Sequence, residues 1–144
     1  MKTQVFVCPI CGNVIAKLVD SGVVPECCGQ PMEYLRPKMQ EAEGDLREKH
    51  LPDISLVDDS TLRVAIGSVL HPMSKEHLIS IIMLESENGL QMRFLSPDNK
   101  PTAKFYCGWD KPTGVYAFCN KHGLYGCKHL PPTVRHSSCK TPAK

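Results

Sequence analysis

The 144-residue sequence lacks the features that would place a protein in a membrane or on nucleic acid. No apolar run approaches the ~20 residues of a membrane-spanning helix. The start, Met1 to Cys8, lacks the apolar stretch of a signal peptide. The net charge of +2 gives no strong case for a nucleic-acid partner. We therefore expect a cytoplasmic chain without nucleic-acid or membrane partners, whose eight cysteines are metal ligands or thiols rather than disulfides.

The first segment, residues 1–37, is also short of the large apolar side chains that a domain needs to fold unaided. It holds two cysteine pairs, Cys8-x-x-Cys11 and Cys27-Cys28, and a glycine follows each pair. Four thiolates satisfy a tetrahedral metal ion, either zinc or a single iron, and such an ion can staple a small module. A zinc knuckle stays open as an alternative, although zinc ribbons mostly repeat the C-x-x-C loop.

Strand-like runs separated by turn signals fill most of the chain, and helical periodicity is missing. Asn88-Gly89 is a strong hairpin signal between two of the runs. The body, residues 38–127, is therefore predicted to be a β-sandwich of the immunoglobulin-like kind. Its first part, residues 38–47, is interpreted as a charged linker, and residues 128–144 after the body as a basic, flexible tail. The runs are Val5 to Val7, Val14 to Val19, Leu62 to Ile66, Leu78 to Leu84, Leu90 to Leu95, Lys104 to Cys107 and Val115 to Cys119.

Four histidines of the body fall at predicted strand edges or turns, and a cysteine accompanies the last of them. They are His50, His71, His77 and His122, with Cys119 three residues before His122. A lone histidine in such a place is usually a surface or packing residue. If all five converge, four imidazoles could lie in one plane with the thiolate axial, which suits a redox iron with an open position better than a structural zinc. An axial thiolate pushes electron density toward a ligand opposite it, which favours chemistry on a small oxygen species.

Six short motifs together resemble those of one known family. They are Cys8-Pro-Ile-Cys11-Gly, Cys27-Cys28-Gly-Gln-Pro-Met, Glu48-Lys49-His50, Gly67-Ser-Val-Leu-His71-Pro-Met, Glu76-His77 and Cys119-Asn-Lys-His122-Gly. These motifs are similar to those of the desulfoferrodoxin family, the superoxide reductases with two iron centres. The resemblance runs from about Val5 to Tyr125 and has no departure at a ligand position. It implies a small desulforedoxin-like iron module followed by the β-sandwich.

The resemblance implies two iron ions per chain and assigns a role to each motif. Superoxide would be reduced by one electron to hydrogen peroxide, with two protons taken up and no oxygen released. Lys49 would steer superoxide and order the water that delivers protons, and Glu48 would occupy the open position in the resting ferric state and help to displace product. The implied ligands are Cys8, Cys11, Cys27 and Cys28 for a rubredoxin-like iron, with His50, His71, His77 and His122 as equatorial ligands and Cys119 as the axial ligand of the catalytic iron.

The resemblance also implies partners, and other functions stay open beside it. In the family the small modules pair, so a homodimer is expected, and rubredoxin or a similar protein is the expected electron donor. The alternative function is a non-catalytic two-iron electron carrier, and a third hypothesis is a zinc-stapled binding module. The four-cysteine iron could relay electrons or only staple its module. Cys107 is predicted to be a buried thiol, whereas Cys127 and Cys139 are left without a role.

Overall fold

The computed structural model describes residues 1–39, 48–108 and 110–132, and nearly all of its regular structure is β. The chain divides into two compact units, Met1–Pro37 and Lys38–Lys144. Residues 40–47 of the predicted linker, and most of the predicted flexible tail, lie outside the described residues. Within the described ranges, no helix is both long and apolar enough to cross a membrane.

The first unit consists of five short strands around a very small core. Strand order β2-β1-β5 forms one antiparallel sheet, and β3 pairs with β4 in a second. Only Phe6, Cys8 and Met32 form its buried core cluster among the described residues. So little buried apolar surface supports the expectation that a metal ion staples this unit. The strands are β1 Gln4–Val7, β2 Val14–Lys17, β3 Glu26–Cys27, β4 Gln30–Pro31 and β5 Glu33–Tyr34.

The second unit is a two-layer β-sandwich, as predicted. Its sheets have the strand orders β10-β7-β6 and β12-β11-β8-β9, and all of their pairings are antiparallel. Inward-facing residues of both sheets, including Leu62, Ile82, Phe105 and Val115, form one buried cluster. The strands are β6 Pro52–Asp58, β7 Thr61–Ile66, β8 Ile79–Ser86, β9 Leu90–Phe94, β10 Thr102–Tyr106, β11 Pro112–Cys119 and β12 Gly123–Cys127.

The predicted hairpin is present, but two strands of the sandwich were not predicted. The β8–β9 pairing closes at Asn88-Gly89, where the Ser86 amide donates to the Gly89 carbonyl at 2.9 Å. Strand β6 is an edge strand with mostly exposed side chains, so its apolar alternation is weak. Strand β12 contains two glycines, and glycine within a segment argues against predicting a strand there. One of them, Gly126, packs against the buried Tyr116 ring, whose Cδ1 and Cε1 atoms lie 2.5 and 2.7 Å from where its Cβ would be.

Candidate metal centres

The four cysteines of the first unit converge around one point, and we call them the four-cysteine cluster. Cys8 follows β1, Cys11 lies in the next turn, Cys27 ends β3, and Cys28 begins the β3–β4 turn. Their sulfur atoms all lie within 4.8 Å of one another. The Cys11 and Cys27 sulfurs are 3.6 Å apart, and the Cys27 and Cys28 sulfurs are 3.9 Å apart. Two sulfurs ~2.3 Å from one ion are ~3.8 Å apart at a tetrahedral angle, so this cluster fits a tetrahedral ion.

Local backbone geometry turns these thiols inward. The Cys11 amide donates to the Cys8 sulfur and the Asn13 amide to the Cys11 sulfur, each at 3.5 Å. Cys28 has a φ of +53°, which a residue with a side chain adopts at a cost. This strain is how two adjacent cysteines direct both sulfurs to one centre.

The thiols of the four-cysteine cluster differ in acidity. The Cys11 amide that donates to its sulfur lowers the pKa of Cys8 to about 6. The neighbouring Cys11 and Cys8 sulfurs raise the pKa of Cys28 to about 12. Metal binding displaces the thiol protons, and the positive charge of the ion then offsets the repulsion between the neighbouring thiolates. The donor set therefore calls for a positive ion.

The second cluster lies where strand ends of both sheets meet at one end of the sandwich. His71 follows the loop after β7, His77 lies two residues before β8, Cys119 ends β11, and His122 lies in the β11–β12 turn. His50 is the last helical residue of the segment 48–50 and lies two residues before β6, so it too lies beside the start of a strand. We call His50, His71, His77, His122 and Cys119 the five-donor cluster.

The four imidazoles of the five-donor cluster form a quadrilateral. In the order His50, His71, His77, His122, neighbouring ring centroids are 4.5 to 4.9 Å apart, and neighbouring ring planes cross at 72° to 88°. His50 and His77 lie across a diagonal, with centroids 5.9 Å apart. A tetrahedral set would make these distances similar. The longer diagonal therefore indicates four rings arranged around one point as a flattened quadrilateral rather than as a regular tetrahedron.

Distances between nitrogen atoms support the same geometry. The Nε2 atom of His50 lies 3.1 Å from Nε2 of His71 and 3.1 Å from Nδ1 of His122. Two nitrogens ~2.1 Å from a common ion are ~3.0 Å apart at a right angle and ~3.4 Å apart at a tetrahedral angle. The observed nitrogen spacing is nearer the right-angle value, whereas the sulfur spacing of the four-cysteine cluster fits a tetrahedral angle. The nitrogen spacing also fits a metal with more than four ligands better than a structural zinc.

The thiol of Cys119 completes the donor set. Its side chain is fully buried, and its sulfur lies within 4.8 Å of ligand atoms of His50, His71 and His77. The same sulfur is 3.8 Å from Nδ1 of His122. Burial raises the pKa of the Cys119 thiol, while the Lys121 and His122 amides oppose that effect. A buried thiol among four imidazoles gains most from a cation, which would hold it as the thiolate.

Two further observations indicate that imidazole nitrogens are kept ready for a metal. Nδ1 of His71 lies 2.6 Å from the Pro72 carbonyl oxygen, so the ring donates there and directs the lone pair of Nε2 into the cluster. Burial lowers the pKa of His71 to about 4, so the ring is neutral at neutral pH. Nε2 of His77 is buried and has no hydrogen-bond partner within the described part of the chain. Such an orphaned nitrogen is costly unless a metal ion binds it.

Two residues that hold the donor loops were not singled out from the sequence. The side-chain oxygen of Asn120 accepts from the Leu78 amide at 3.0 Å, and its NH₂ group donates to the Lys75 carbonyl at 3.1 Å. It thereby ties the loop of His122 to the loop of His77. Gly67, with φ of +88°, packs against the backbone of Glu48 and Lys49. Asn120 lies in the motif that contains Cys119 and His122, and Gly67 begins the motif that contains His71. Their place beside donor residues is the signal that could have identified them.

The charged pair Glu48-Lys49 directly precedes His50 in the chain. Glu48 is exposed and Lys49 is partly exposed. The pKa of His77 is lowered by burial first and then by the charges of His122, Lys121 and Lys49. The positive charge of Lys49 is therefore felt at the imidazoles. In the sequence, Lys49 and Lys121 are the two cationic residues that directly precede a donor histidine.

Cys107 and Cys127 lie outside both clusters. Cys107 is buried in the sandwich core, as predicted, and its thiol donates to the Ser60 carbonyl at 3.2 Å. Cys127 ends β12, and its thiol donates to the His129 carbonyl at 3.6 Å. Cys139 lies outside the described residues.

Comparisons with known proteins agree on one family. The desulfoferrodoxin family model matches residues 42–128. Desulfoferrodoxin from Syntrophotalea carbinolica is 36% identical over 124 residues, covering 86% of this chain and 94% of the relative. A desulfoferrodoxin homolog from Archaeoglobus fulgidus is 34% identical over 122 residues, covering 85% of this chain and 94% of the relative.

A solved structure shares the fold. The superoxide reductase from Treponema pallidum superposes with a TM-score of 0.73 at 24% identity, covering 88% of this chain and 98% of that one. The family model, the identities of the relatives and the two clusters suited to iron all point the same way. The chain belongs to the desulfoferrodoxin family.

Proposed function

We propose that the chain is a superoxide reductase. Superoxide takes up one electron and two protons and leaves as hydrogen peroxide, without release of oxygen. The observation that carries this proposal is the flattened quadrilateral of four imidazoles with a buried thiol beside it. The Treponema pallidum protein that shares the fold is named a superoxide reductase, which supports the same reaction.

The five-donor cluster would hold the catalytic iron, with His50, His71, His77, His122 and Cys119 as its ligands. When bound, this iron supplies the one-electron change between the ferrous and ferric states that reduces superoxide. The chain contributes the electron-rich thiolate of Cys119 and four neutral imidazoles. Five donors are one more than a four-coordinate structural zinc would use, which fits a catalytic iron that would also bind the substrate.

Lys49 and Glu48 are proposed to act at the mouth of this site. The ammonium group of Lys49 attracts the superoxide anion and raises the rate of encounter. It also orients water that delivers protons to the leaving peroxide. The exposed carboxylate of Glu48 helps to displace that product. Both residues are held in place through Gly67, whose lack of a side chain lets the two backbones approach.

The four-cysteine cluster would hold a second iron, which either relays electrons or staples the first unit. We propose a rubredoxin-like protein as the external donor and a reducing, cytoplasmic setting, since the many cysteines of the chain would otherwise form disulfides. We also propose a homodimer formed through the first unit. Its exposed Leu18, Val19 and Val23 are apolar side chains that a partner could cover. Module 1–37, sandwich 38–127 and tail 128–144 are the proposed domains.

Rapid mixing of the reduced, iron-loaded protein with superoxide tests this function. A superoxide reductase should be oxidised in one fast second-order step that forms peroxide. A two-iron electron carrier would react slowly with superoxide although both irons accept electrons. Metal analysis after anaerobic purification is the companion measurement. Two zinc ions and no iron per chain would instead support a zinc-stapled binding module and would end the redox proposal.

A further inference from the structure

Lys38, the first residue of the second unit, lies against the strand that carries Tyr125. Its amide donates to the Leu124 carbonyl at 2.9 Å, and its carbonyl accepts from the Gly126 amide at 3.0 Å. These bonds make a parallel bridge between Lys38 and Tyr125 at the edge of β12. The backbone of Lys38 is therefore fixed, although the sequence placed this residue in a linker.

The side chain of Lys38 reaches the five-donor cluster from this anchor. Its ammonium group donates to the carbonyl oxygen of His122 at 2.9 Å. The same group lies 5.3 Å above the centroid of the Tyr125 ring. Both contacts are favourable for a cation, one with a carbonyl dipole and one with an aromatic face. Lys38 thus restrains the turn that carries two of the five donors.

Tyr125 connects this lysine to a second histidine. Its ring is buried and stacks on His50, with centroids 4.5 Å apart and planes inclined by 23°. No other aromatic ring stacks flat on a donor histidine in the described part of the chain. Because an imidazole ligand must keep its ring plane to direct its lone pair, this stacking holds His50 in orientation.

We propose that Lys38 and Tyr125 are positioning residues of the iron site, and that Lys38 also supplies a fixed positive charge that favours the ferrous state. A nearby cation repels the ferric ion more strongly than the ferrous ion, which raises the reduction potential. Lys38 is exposed, so dissolved salt should weaken this effect. The inference rests on the proposed function only through the iron of the five-donor cluster.

Three substitutions at one position separate the charge from the hydrogen bond. Lys38→Arg keeps both, Lys38→Gln keeps a donor for the His122 carbonyl but loses the charge, and Lys38→Met loses both. Lys104→Gln is the matched control, because it removes an exposed lysine from the middle of β10, a strand that carries no donor residue. At the ring, Tyr125→Phe keeps the stacking and Tyr125→Leu removes it.

Redox titration of the full-length, iron-loaded protein measures the charge effect, and the rate of iron loss to a chelator measures positioning. At low salt, Lys38→Gln and Lys38→Met should lower the ferrous-to-ferric ratio at a fixed potential by roughly twofold or more. Lys38→Arg and Lys104→Gln should match wild type, and high salt should shrink the difference. Iron loss should be faster in Lys38→Met and Tyr125→Leu than in Lys38→Gln and Tyr125→Phe.

The outcomes separate this inference from the proposed function. An unchanged ratio in Lys38→Gln at low salt would overturn the role of the charge. Equal rates of iron loss in wild type, Lys38→Met and Tyr125→Leu would overturn the positioning role. In both cases the wild-type protein would still reduce superoxide, so the proposed function would stand. A wild-type chain that binds no iron at the five-donor cluster would overturn the proposed function and this inference together.

Discussion

Replacing Gly67 by alanine should disturb the five-donor cluster although residue 67 contributes no donor. A Cβ atom there would lie 2.7 Å from the Glu48 carbonyl oxygen and 2.9 Å from the Lys49 Cα, and it would collide with the Val69 carbonyl. All three contacts are backbone atoms, so no flexible side chain can yield. The φ of +88° adds a second cost, because residues with a side chain avoid that conformation.

The magnitude follows from these two costs. A strained backbone conformation costs ~1–3 kcal/mol. Overpacking of a tight contact costs a further ~1–3 kcal/mol. Gly67→Ala should therefore lower the free energy of unfolding of the second unit by roughly 2–6 kcal/mol, measured by urea titration with circular dichroism detection. The displaced segment leads directly into His50, so iron at the five-donor cluster should be lost while iron at the four-cysteine cluster stays.

Gly89→Ala is the matched control for this prediction. A Cβ atom at residue 89 meets only Asp110 Oδ2, at 3.8 Å, and its φ is outside the left-handed region. Its free energy of unfolding should stay within about 1 kcal/mol of wild type. If Gly67→Ala were as stable as Gly89→Ala and kept both irons, the close approach between residue 67 and the Glu48–Lys49 backbone would be refuted.

Three other predictions concern charge, hydrogen bonding and acidity. Lys49→Ala should slow superoxide capture by roughly tenfold and flatten its salt dependence, whereas Lys104→Ala should change neither rate nor salt slope. Asn120→Ala leaves the Leu78 amide without its acceptor and should lower the free energy of unfolding by ~1–3 kcal/mol, whereas Asn120→Asp, which keeps an acceptor, should lose less. The pKa of His71 is about 4 in the folded chain, below its value of 6.5 in the unfolded chain. His71 should therefore leave the free energy of unfolding of the metal-free protein unchanged above pH 6.5 and lower it by ~3 kcal/mol as pH falls toward 4. A flat unfolding free energy over that pH range would contradict the burial of neutral His71.

The sequence predicted the strands whose apolar pattern is strong. Leu62 to Ile66 and the hairpin at Asn88-Gly89 are read directly from alternation and turn chemistry. Strand β6 was not predicted because an edge strand needs no regular apolar face. Strand β12 was not predicted because it contains Gly126, whose lack of a side chain allows close packing against Tyr116 and Met39. Tertiary contacts set those two segments, and a local pattern carries no record of them.

The donors of both clusters could be predicted, but not the residues that hold them. Cysteine and histidine are rare enough that their spacing is informative. The helical position of His50 was missed because most of the preceding segment has no apolar periodicity. Lys38 and Tyr125 were also missed, since a lysine and a tyrosine have many ordinary roles and their contact joins residues 87 positions apart. Only the folded chain brings them to His50 and His122.

The balance of oxygen species tests the proposed function most directly. Reduced, iron-loaded protein is mixed with a limiting amount of superoxide, and peroxide, oxygen and ferric iron are measured in the same sample. The proposed reaction predicts one peroxide and one oxidised iron for each superoxide consumed, with no oxygen evolved. Dismutation would give one peroxide and one oxygen for every two superoxide ions, with no net oxidation of iron, and that result would contradict the proposed function.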